Sequence, residues 1–595
     1  MKKYRSLISL FIIIGAIYWS FFDMIPSLNK EQTTSKTAFS IQNALAHLKN
    51  ISKKVHHVGS PEHKVVQNYI VNEFQKLNLT PVIQTQTIVN RKWFAATTAE
   101  NIIVKIKGTG NGKALMLLTH YDSSPHSSLG ASDAGSGVVT ILEGIRTFLA
   151  QNTPPKNDVI ILISDAEETG LLGAKAFVEH HEWTKEVGLV LNFESRGSGG
   201  PSYMLMETNG KNGKLLSEFI KAKPNFPAAN SMMYSIYKTL PNDTDLTVFR
   251  EQGNISGFNF AFIGDHFDYH TAQDSFERLD RETLLHQADY FTTMMSYFSN
   301  ADLSSFESNT DYVYVNFPFF KMIRYPFSWG FSLFLVAFIL YLAIVFFGIC
   351  LNKIRLKGIQ KGTLLFLISL ALCVGISFGL WKFILFVHPH YQDMLHGFTY
   401  NGYQYIGAFI LLNLWLLFSI YKSSMAKKTS IDLFVFPVFL WLVINFIIYL
   451  YLPGASFFII PVYGALLILS IAIFTQKLSA NRSIFFAIIS IPMLYIFSPF
   501  LKTFPVGLGL KNIYLTALFL VLVFGMLIPV ISLVKGLKKI RQLLGIGTIL
   551  VFGYATMNNG FSESNKKPNS IIYVQNQETN AAYFATYNQV LDGYT

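Results

Sequence analysis

Two kinds of protein are written into this 595-residue chain. The sequence predicts an α/β domain with a mainly parallel sheet flanked by helices, followed by a polytopic α-helical membrane domain. Three observations carry the prediction. Between residues 102 and 263, short apolar runs alternate with helical patterns, the signature of strand–helix units. From about Trp329 onward, apolar runs recur at near-spanning length, against the roughly 20 residues a membrane helix needs. Hydrophobic residues make up 51% of the chain and charged residues only 14%, so the average mixes a water-facing part with a lipid-facing part.

The elements follow in order. Lys2, Lys3 and Arg5 precede the apolar run Leu7–Phe22, and no small-x-small cleavage site follows it. Residues 1–28 are therefore expected to be an uncleaved signal anchor with its N-terminus in the cytoplasm. Asn29–Thr37 reads as a linker, within a water-facing domain placed at 29–312. Ser60-Pro61 opens a helix with Pro at its first position, and Val65, Val66, Tyr69, Ile70 and Phe74 repeat with a helical period. Strands are predicted at Ile102–Ile106, Ala114–Leu118, Val159–Ile163, Leu189–Phe193 and Gly257–Ile263. Helices are predicted up to Ala150, from Leu171, and over Leu284–Tyr297.

Residues 313–557 are read as eight spans, near 329–351, 364–387, 404–421, 431–451, 456–474, 483–500, 513–534 and 543–557. With the anchor this makes nine. Basic residues gather in alternate loops: Lys353, Arg355, Lys357 and Lys361; Lys422, Lys427 and Lys428; Lys477 and Arg482; Lys535, Lys538, Lys539 and Arg541. Lys502 and Lys511 stand apart from that pattern. The positive-inside rule places the basic loops in the cytoplasm, in agreement with Lys2, Lys3 and Arg5, and so places the soluble domain on the exoplasmic side. This distribution also explains the net charge of +12 without a nucleic-acid partner. Lys382, beside Trp381, is expected to snorkel to the interface. Residues 558–595 form a polar exoplasmic tail in which Ser570–Gln575 and Ala581–Thr586 suggest a hairpin, the expected start of a further small β domain. Cys350 and Cys373 both lie in apolar runs, so neither a disulfide framework nor a cysteine zinc site is expected.

The chemistry concentrates where strands end. The stretch Thr119–Gly137 delivers His120 and Asp122 from a strand, then Asp133 after a small-residue loop that leads into a helix through Val138, Ile141, Leu142 and Ile145. Read alone, Asp133 is equally a helix N-cap. The strand at 159–163 leads to Glu167-Glu168, the strand at 189–193 to Glu194, and the strand at 257–263 to His266 and His270. Open α/β sheets place their sites at such strand ends. His120, Asp133, Glu168, Glu194 and His270 are five candidate ligands, more than a single catalytic zinc takes. They suit two ions sharing a carboxylate and a bridging water. Glu167 then remains for proton transfer, and Asp122 for the other imidazole N–H of His120.

Taken together, His120-x-Asp122, Ala131–Gly137, Glu167-Glu168, Asn192-Phe193-Glu194 and Tyr269-His270-Thr271 resemble the co-catalytic di-zinc aminopeptidases of metallopeptidase family 28. The nearest subgroup is the membrane-bound one that includes endoplasmic reticulum metallopeptidase and vacuolar membrane protease. Asn242-Asp243-Thr244-Asp245 with Phe249, and the tail 569–595, resemble parts of that subgroup as well. The resemblance implies a hydrolase that removes N-terminal residues from peptides outside the cytoplasm, with two zinc ions per chain. It makes His120 and Glu194 ligands of one ion, Glu168 and His270 ligands of the other, Asp133 the bridge and Glu167 the general base. Many relatives carry Asp where Glu194 stands here. The competing expectations are a single-zinc aminoacyl cyclase like glutaminyl cyclase, and a transporter or scaffold whose peptidase-like domain only binds. The spans show no set of intramembrane carboxylates that would serve transport.

Overall fold

The structure, a computed structural model, describes residues 2–28, 35–237, 243–425, 430–475, 481–534 and 536–595. Most of the expected linker, together with Asn242, Lys427, Lys428, Lys477 and Lys535, lies outside the described residues. Two compact units are present: Asp23–Asn316 with Arg324–Pro326, and Met1–Phe22 with Phe317–Ile323 and Phe327–Thr595.

The first unit is built on seven strands: β1 (Val82–Asn90), β2 (Ala95–Ile106), β3 (Ala114–His120), β4 (Val159–Ser164), β5 (Val187–Ser195), β6 (Gly199–Glu207) and β7 (Gly257–Gly264). Their order across the sheet is β1-β2-β4-β3-β5-β7-β6. The four central strands β4, β3, β5 and β7 run parallel, while β1, β2 and β6 pair antiparallel at the two flanks. The parallel core is what the continuous apolar runs predict, since strands covered on both faces have no solvent side. β3 and β4 are buried along their whole length.

The antiparallel flanks are less visible in the sequence. The predicted strand at 102–106 is the second half of β2, which begins at Ala95. β1 carries a polar run, Gln84-Thr85-Gln86-Thr87, in place of the apolar run that marks a strand, and β6 opens on Gly199-Gly200-Pro201, where the chain reads as a turn.

Helices cover both faces. On one, Leu172–His180 and Asp245–Gly253 pack Phe177, Leu246 and Phe249 against Met116, Leu118, Ile160, Leu162 and Val190 of the sheet. On the other lie Gly137–Leu149 and Arg281–Phe298, the latter N-capped by Asp280. Gly137 allows the first of these to descend onto the sheet. A Cβ there would collide with the Thr119 hydroxyl and stand 2.7 Å from the Phe193 carbonyl oxygen. The approach fixes Asp133, four residues earlier, over the ends of β3 and β5.

In the second unit, the described residues include nine helices long and apolar enough to cross a membrane: Tyr4–Phe22, Trp329–Cys350, Leu356–Val387, Gly402–Ile420, Ile431–Tyr451, Pro453–Phe474, Ile491–Leu508, Leu510–Ile531 and Leu537–Met557. The span expected at 483–500 is displaced. A helix ends at Ile489 and another runs from Ile491, with Pro492 in its first turn, where proline is tolerated. Asp432 receives the main-chain N–H of Arg355 at 3.1 Å and its guanidinium at 3.3 Å. Lys382 is exposed, with its ammonium 5.8 Å from the Phe378 ring. Ile572–Asn576 and Ala581–Ala585 pair as the expected hairpin.

Candidate metal centre

Parallel pairing brings four strand ends to one edge. His120 is level with Ser164 across β3 and β4, and Glu194 with Ala261 across β5 and β7. From that edge the side chains converge. Asp133 stands between two imidazoles: its Oδ1 lies 3.2 Å from His120 Nε2 and its Oδ2 3.1 Å from His270 Nε2. Glu194 Oε2 is 3.7 Å from His120 Nε2. Glu168 Oε2 is 3.0 Å from His270 Nε2. His120, Asp133 and Glu168 each offer a ligand atom within 4.8 Å of the others. Glu167 reaches no closer than 4.0 Å to His120 Nε2. His120, Asp133, Glu167, Glu168, Glu194 and His270 therefore lie at one locus, with Asp122 against His120. His266 is buried beside Tyr269, their rings 5.6 Å apart.

The site is held from behind. His120 Nδ1 lies 2.9 Å from the main-chain oxygen of Asp122, an atom that only accepts, so Nδ1 carries the proton. The Asp122 carboxylate is 3.4 Å from the same nitrogen. Its two oxygens accept the main-chain N–H groups of Glu167 at 3.1 Å and Glu168 at 3.2 Å. Asp122 thus orients the imidazole mainly through its backbone, and with its side chain ties the Glu167-Glu168 loop to β3. Asp274 does the same for the next loop, accepting from Ser132 N at 2.6 Å and Asp133 N at 3.2 Å. His270 itself has left-handed backbone at φ 53°, an unusual conformation for a side chain of its size. Tyr269 stacks on it with ring centroids 3.7 Å apart.

The electrostatics favour a cation among these groups. With Nδ1 protonated, the neutral His120 ring points a lone pair from Nε2 at carboxylate oxygens, an arrangement that needs a proton or a cation between. The shifts record that need. Burial alone would depress the His120 imidazole, yet Glu194 and Glu167 hold it well above the usual histidine value. Burial also opposes His270, but Glu168 and Asp133 raise it to about 10. Burial works against the Asp133 carboxylate, and the two imidazoles nonetheless hold it below the usual range. Glu168 is pushed up to about 8 by burial and by Asp133, against the pull of His270. Burial, with Glu194 and Glu168 adding to it, raises Glu167 well above the ordinary glutamate value. Asp245, whose Oδ2 accepts from Ser164, is raised by burial to about 7.

A metal fits these donors. Zinc–nitrogen and zinc–oxygen bonds of about 2.0–2.2 Å put neighbouring tetrahedral ligand atoms roughly 3.3 Å apart. The four nitrogen–oxygen separations around Asp133, 3.0–3.7 Å, bracket that value. Among the described residues, Glu168 Oε1 is buried with no hydrogen-bond partner.

The sequence model of peptidase family M28 matches residues 101–295, the stretch that contains every one of these side chains. Residues 101–295 are thus a peptidase family M28 domain. The chain is similar to the vacuolar membrane protease of Candida dubliniensis, 28% identical over 328 residues, which is 53% of this chain and 34% of that protein. It is also similar to endoplasmic reticulum metallopeptidase 1 of Rattus norvegicus, 27% identical over 226 residues, 38% of this chain and 25% of that one. The chain thus matches about a third or less of the length of these relatives. Among solved structures, Porphyromonas gingivalis glutaminyl cyclase aligns with 19% identity and a TM-score of 0.37, covering 44% of this chain and 97% of that one. A leucine aminopeptidase precursor from Bacteroides thetaiotaomicron aligns with 20% identity and a TM-score of 0.36, covering 45% and 100%.

The unit that carries this domain also contains supports that sequence reading missed. His63 Nε2 meets Asp165 Oδ1 at 2.7 Å, and the other oxygen of Asp165 accepts the Glu100 N–H at 2.8 Å, so the residues leading into Glu167 are braced from a helix and from β2. No local pattern marks such a pair. The signal available was Asp165 itself, a third acid beside Glu167 and Glu168.

Proposed function

We propose that this chain is a membrane-bound zinc exopeptidase that cleaves N-terminal residues from peptides on the exoplasmic side. The observation that carries the reading is the placement of Asp133, with one oxygen toward each imidazole. His120 and Glu194 would hold one zinc ion, His270 and Glu168 a second, and Asp133 would be shared. The two ions would supply Lewis acidity toward the scissile carbonyl and the attacking water.

The chain's own residues do the rest. Glu167 stands beside the cluster without being needed as a ligand, and its raised proton affinity suits a group that takes a proton from water and passes it to the leaving amine. Asp122 and Asp274 fix the loops that carry Glu167, Glu168 and Asp133. The alternation of basic loops supports an exoplasmic site, with the helices as anchor.

Zinc analysis of the purified full chain, paired with release of free amino acid from aminoacyl amides, tests the proposal. The expected result is two zinc ions per chain and cleavage that Glu167→Gln abolishes. A single ion, with N-terminal glutamine converted to a pyroglutamyl product and ammonia and no free amino acid released, would favour the cyclase chemistry instead.

A further inference from the structure

Among the described residues, Arg196 near the cluster is a cation that no carboxylate pairs. Arg196 follows Glu194 by two residues, so strand alternation launches its side chain from the same face as that candidate ligand. Its backbone is fixed: Arg196 N donates to the Phe262 oxygen at 2.7 Å and Ser198 N to the Gly264 oxygen at 3.0 Å, which prolongs the β5–β7 pairing past the strand end. The guanidinium lies 5.5 Å from the centre of the Tyr269 ring, on the residue that stacks against His270. Among the described residues it makes no ion pair and no side-chain hydrogen bond. Neighbouring arginines differ. Arg278 Nε is bonded to Asp268 at 2.8 Å and Arg250 Nε to Glu207 at 2.9 Å.

Arg196 is half-buried, so its open donors are satisfied by water until an anion replaces that water. The site acids are drawn toward the imidazoles, which leaves Arg196 facing whatever enters. We propose that Arg196 binds a carboxylate of the peptide substrate close to the scissile bond, so that the enzyme prefers short peptides with a free C-terminus or peptides with an acidic residue there. The planar fork of five N–H donors matches a carboxylate in a bidentate way that a lysine cannot reproduce. The inference rests on the peptidase reading and adds a substrate class to it.

The test uses the full chain in detergent with zinc, and three ligands: a dialanine, its C-terminal amide, and an alanyl-glutamate amide that restores an acid on the side chain. The ratio of kcat/KM for dialanine over its amide is expected to exceed one, and to fall about 10- to 100-fold in Arg196→Gln, the size of a charge-assisted hydrogen bond. Arg196→Lys should recover only part of the ratio. Restored preference with the glutamate amide would identify a side-chain carboxylate as the anion; preference for dialanine alone would identify the C-terminus. An unchanged ratio in Arg196→Gln, even with both rates reduced, would mean that Arg196 only steadies Tyr269 and would overturn the proposal. So would a wild-type ratio near one. Binding of the same ligands, read as thermal stabilisation, keeps the two ideas apart. Wild-type protein that cleaves nothing but is stabilised more by dialanine than by its amide, with the difference lost in Arg196→Gln, sinks the hydrolase reading and leaves the carboxylate site standing. Equal stabilisation by both ligands sinks the carboxylate site.

Discussion

The two ends of the central sheet place acids beside strands in the same way and treat them oppositely. At the N-terminal end of β4, Asp158 is met by Lys107 at 2.8 Å, Lys105 at 3.4 Å and the Gly108 N–H at 2.8 Å. Although burial works against it, these partners hold its carboxyl below the usual aspartate range. At the C-terminal end, Glu168, Glu194 and Asp245 have only imidazoles, amides and hydroxyls for company, and burial drives all three upward. An acid matched by lysines completes a fold. Acids matched only by imidazole lone pairs leave room for a cation. What separates a structural carboxylate from a candidate metal ligand in this domain is the counter-charge supplied, not the strand end.

The comparison is sharpened first at Glu167, whose carboxylate makes no hydrogen bond among the described residues and lies 4.0 Å from His120 Nε2. Glu167→Gln should lower kcat by about 10²–10⁴-fold, the range for removing a general base, with zinc content unchanged, as steady-state kinetics and metal analysis would show. Asp122→Ala comes next. It removes the carboxylate that holds the Glu167-Glu168 loop while leaving the main-chain oxygen on His120 Nδ1, and should weaken zinc binding or activity by about 10- to 100-fold, measured by competition with a chelator.

A third prediction concerns pH. In metal-free protein, Glu168 is raised to about 8 and His270 to about 10. Between the unfolded values and these, the folded state binds more protons than the unfolded state, so stability falls as pH rises. The metal-free chain should therefore melt at lower temperature as pH goes from 5 to 9, while zinc, which competes with those protons, should protect most at the upper end. A melting temperature for the metal-free chain that rises over this range would contradict the assignment. The smallest effect belongs to the other end of the sheet. Asp158→Ala should cost about 1 kcal/mol or less and leave zinc content unchanged. Because its folded value is depressed, its contribution is present above the unfolded aspartate value and is lost as pH falls through the folded one.

The sequence showed the parallel core and the cluster together, for one reason. The stretches Ala114–Leu118 and Val159–Ile163 are apolar throughout, so the polar residues that follow mark the strand ends, and His120, Glu167, Glu168, Glu194 and His270 stand at or just past such ends. Asp133 was harder, since an N-cap reading fitted as well; the structure instead has an irregular turn at Ala131–Ser136 before the helix at Gly137. The flanking strands were hidden because β1 and the first half of β2 carry polar, partly exposed residues, and β6 opens on Gly-Gly-Pro. The His63–Asp165 brace and the hold of Asp274 on Ser132 link positions about 100 and 142 residues apart, which no local period encodes. The role of Asp122 was legible only in part: its place beside His120 was plain, but its carboxylate turns toward the Glu167 and Glu168 amides.

The central claim is that Asp133 is shared between two cations, and zinc stoichiometry tests it most directly. Full-length wild-type protein should retain two zinc ions per chain after dialysis, and Asp133→Ala should lose both together while remaining folded by circular dichroism. Wild-type protein with one ion or none, or an Asp133→Ala variant that keeps two, would contradict the account.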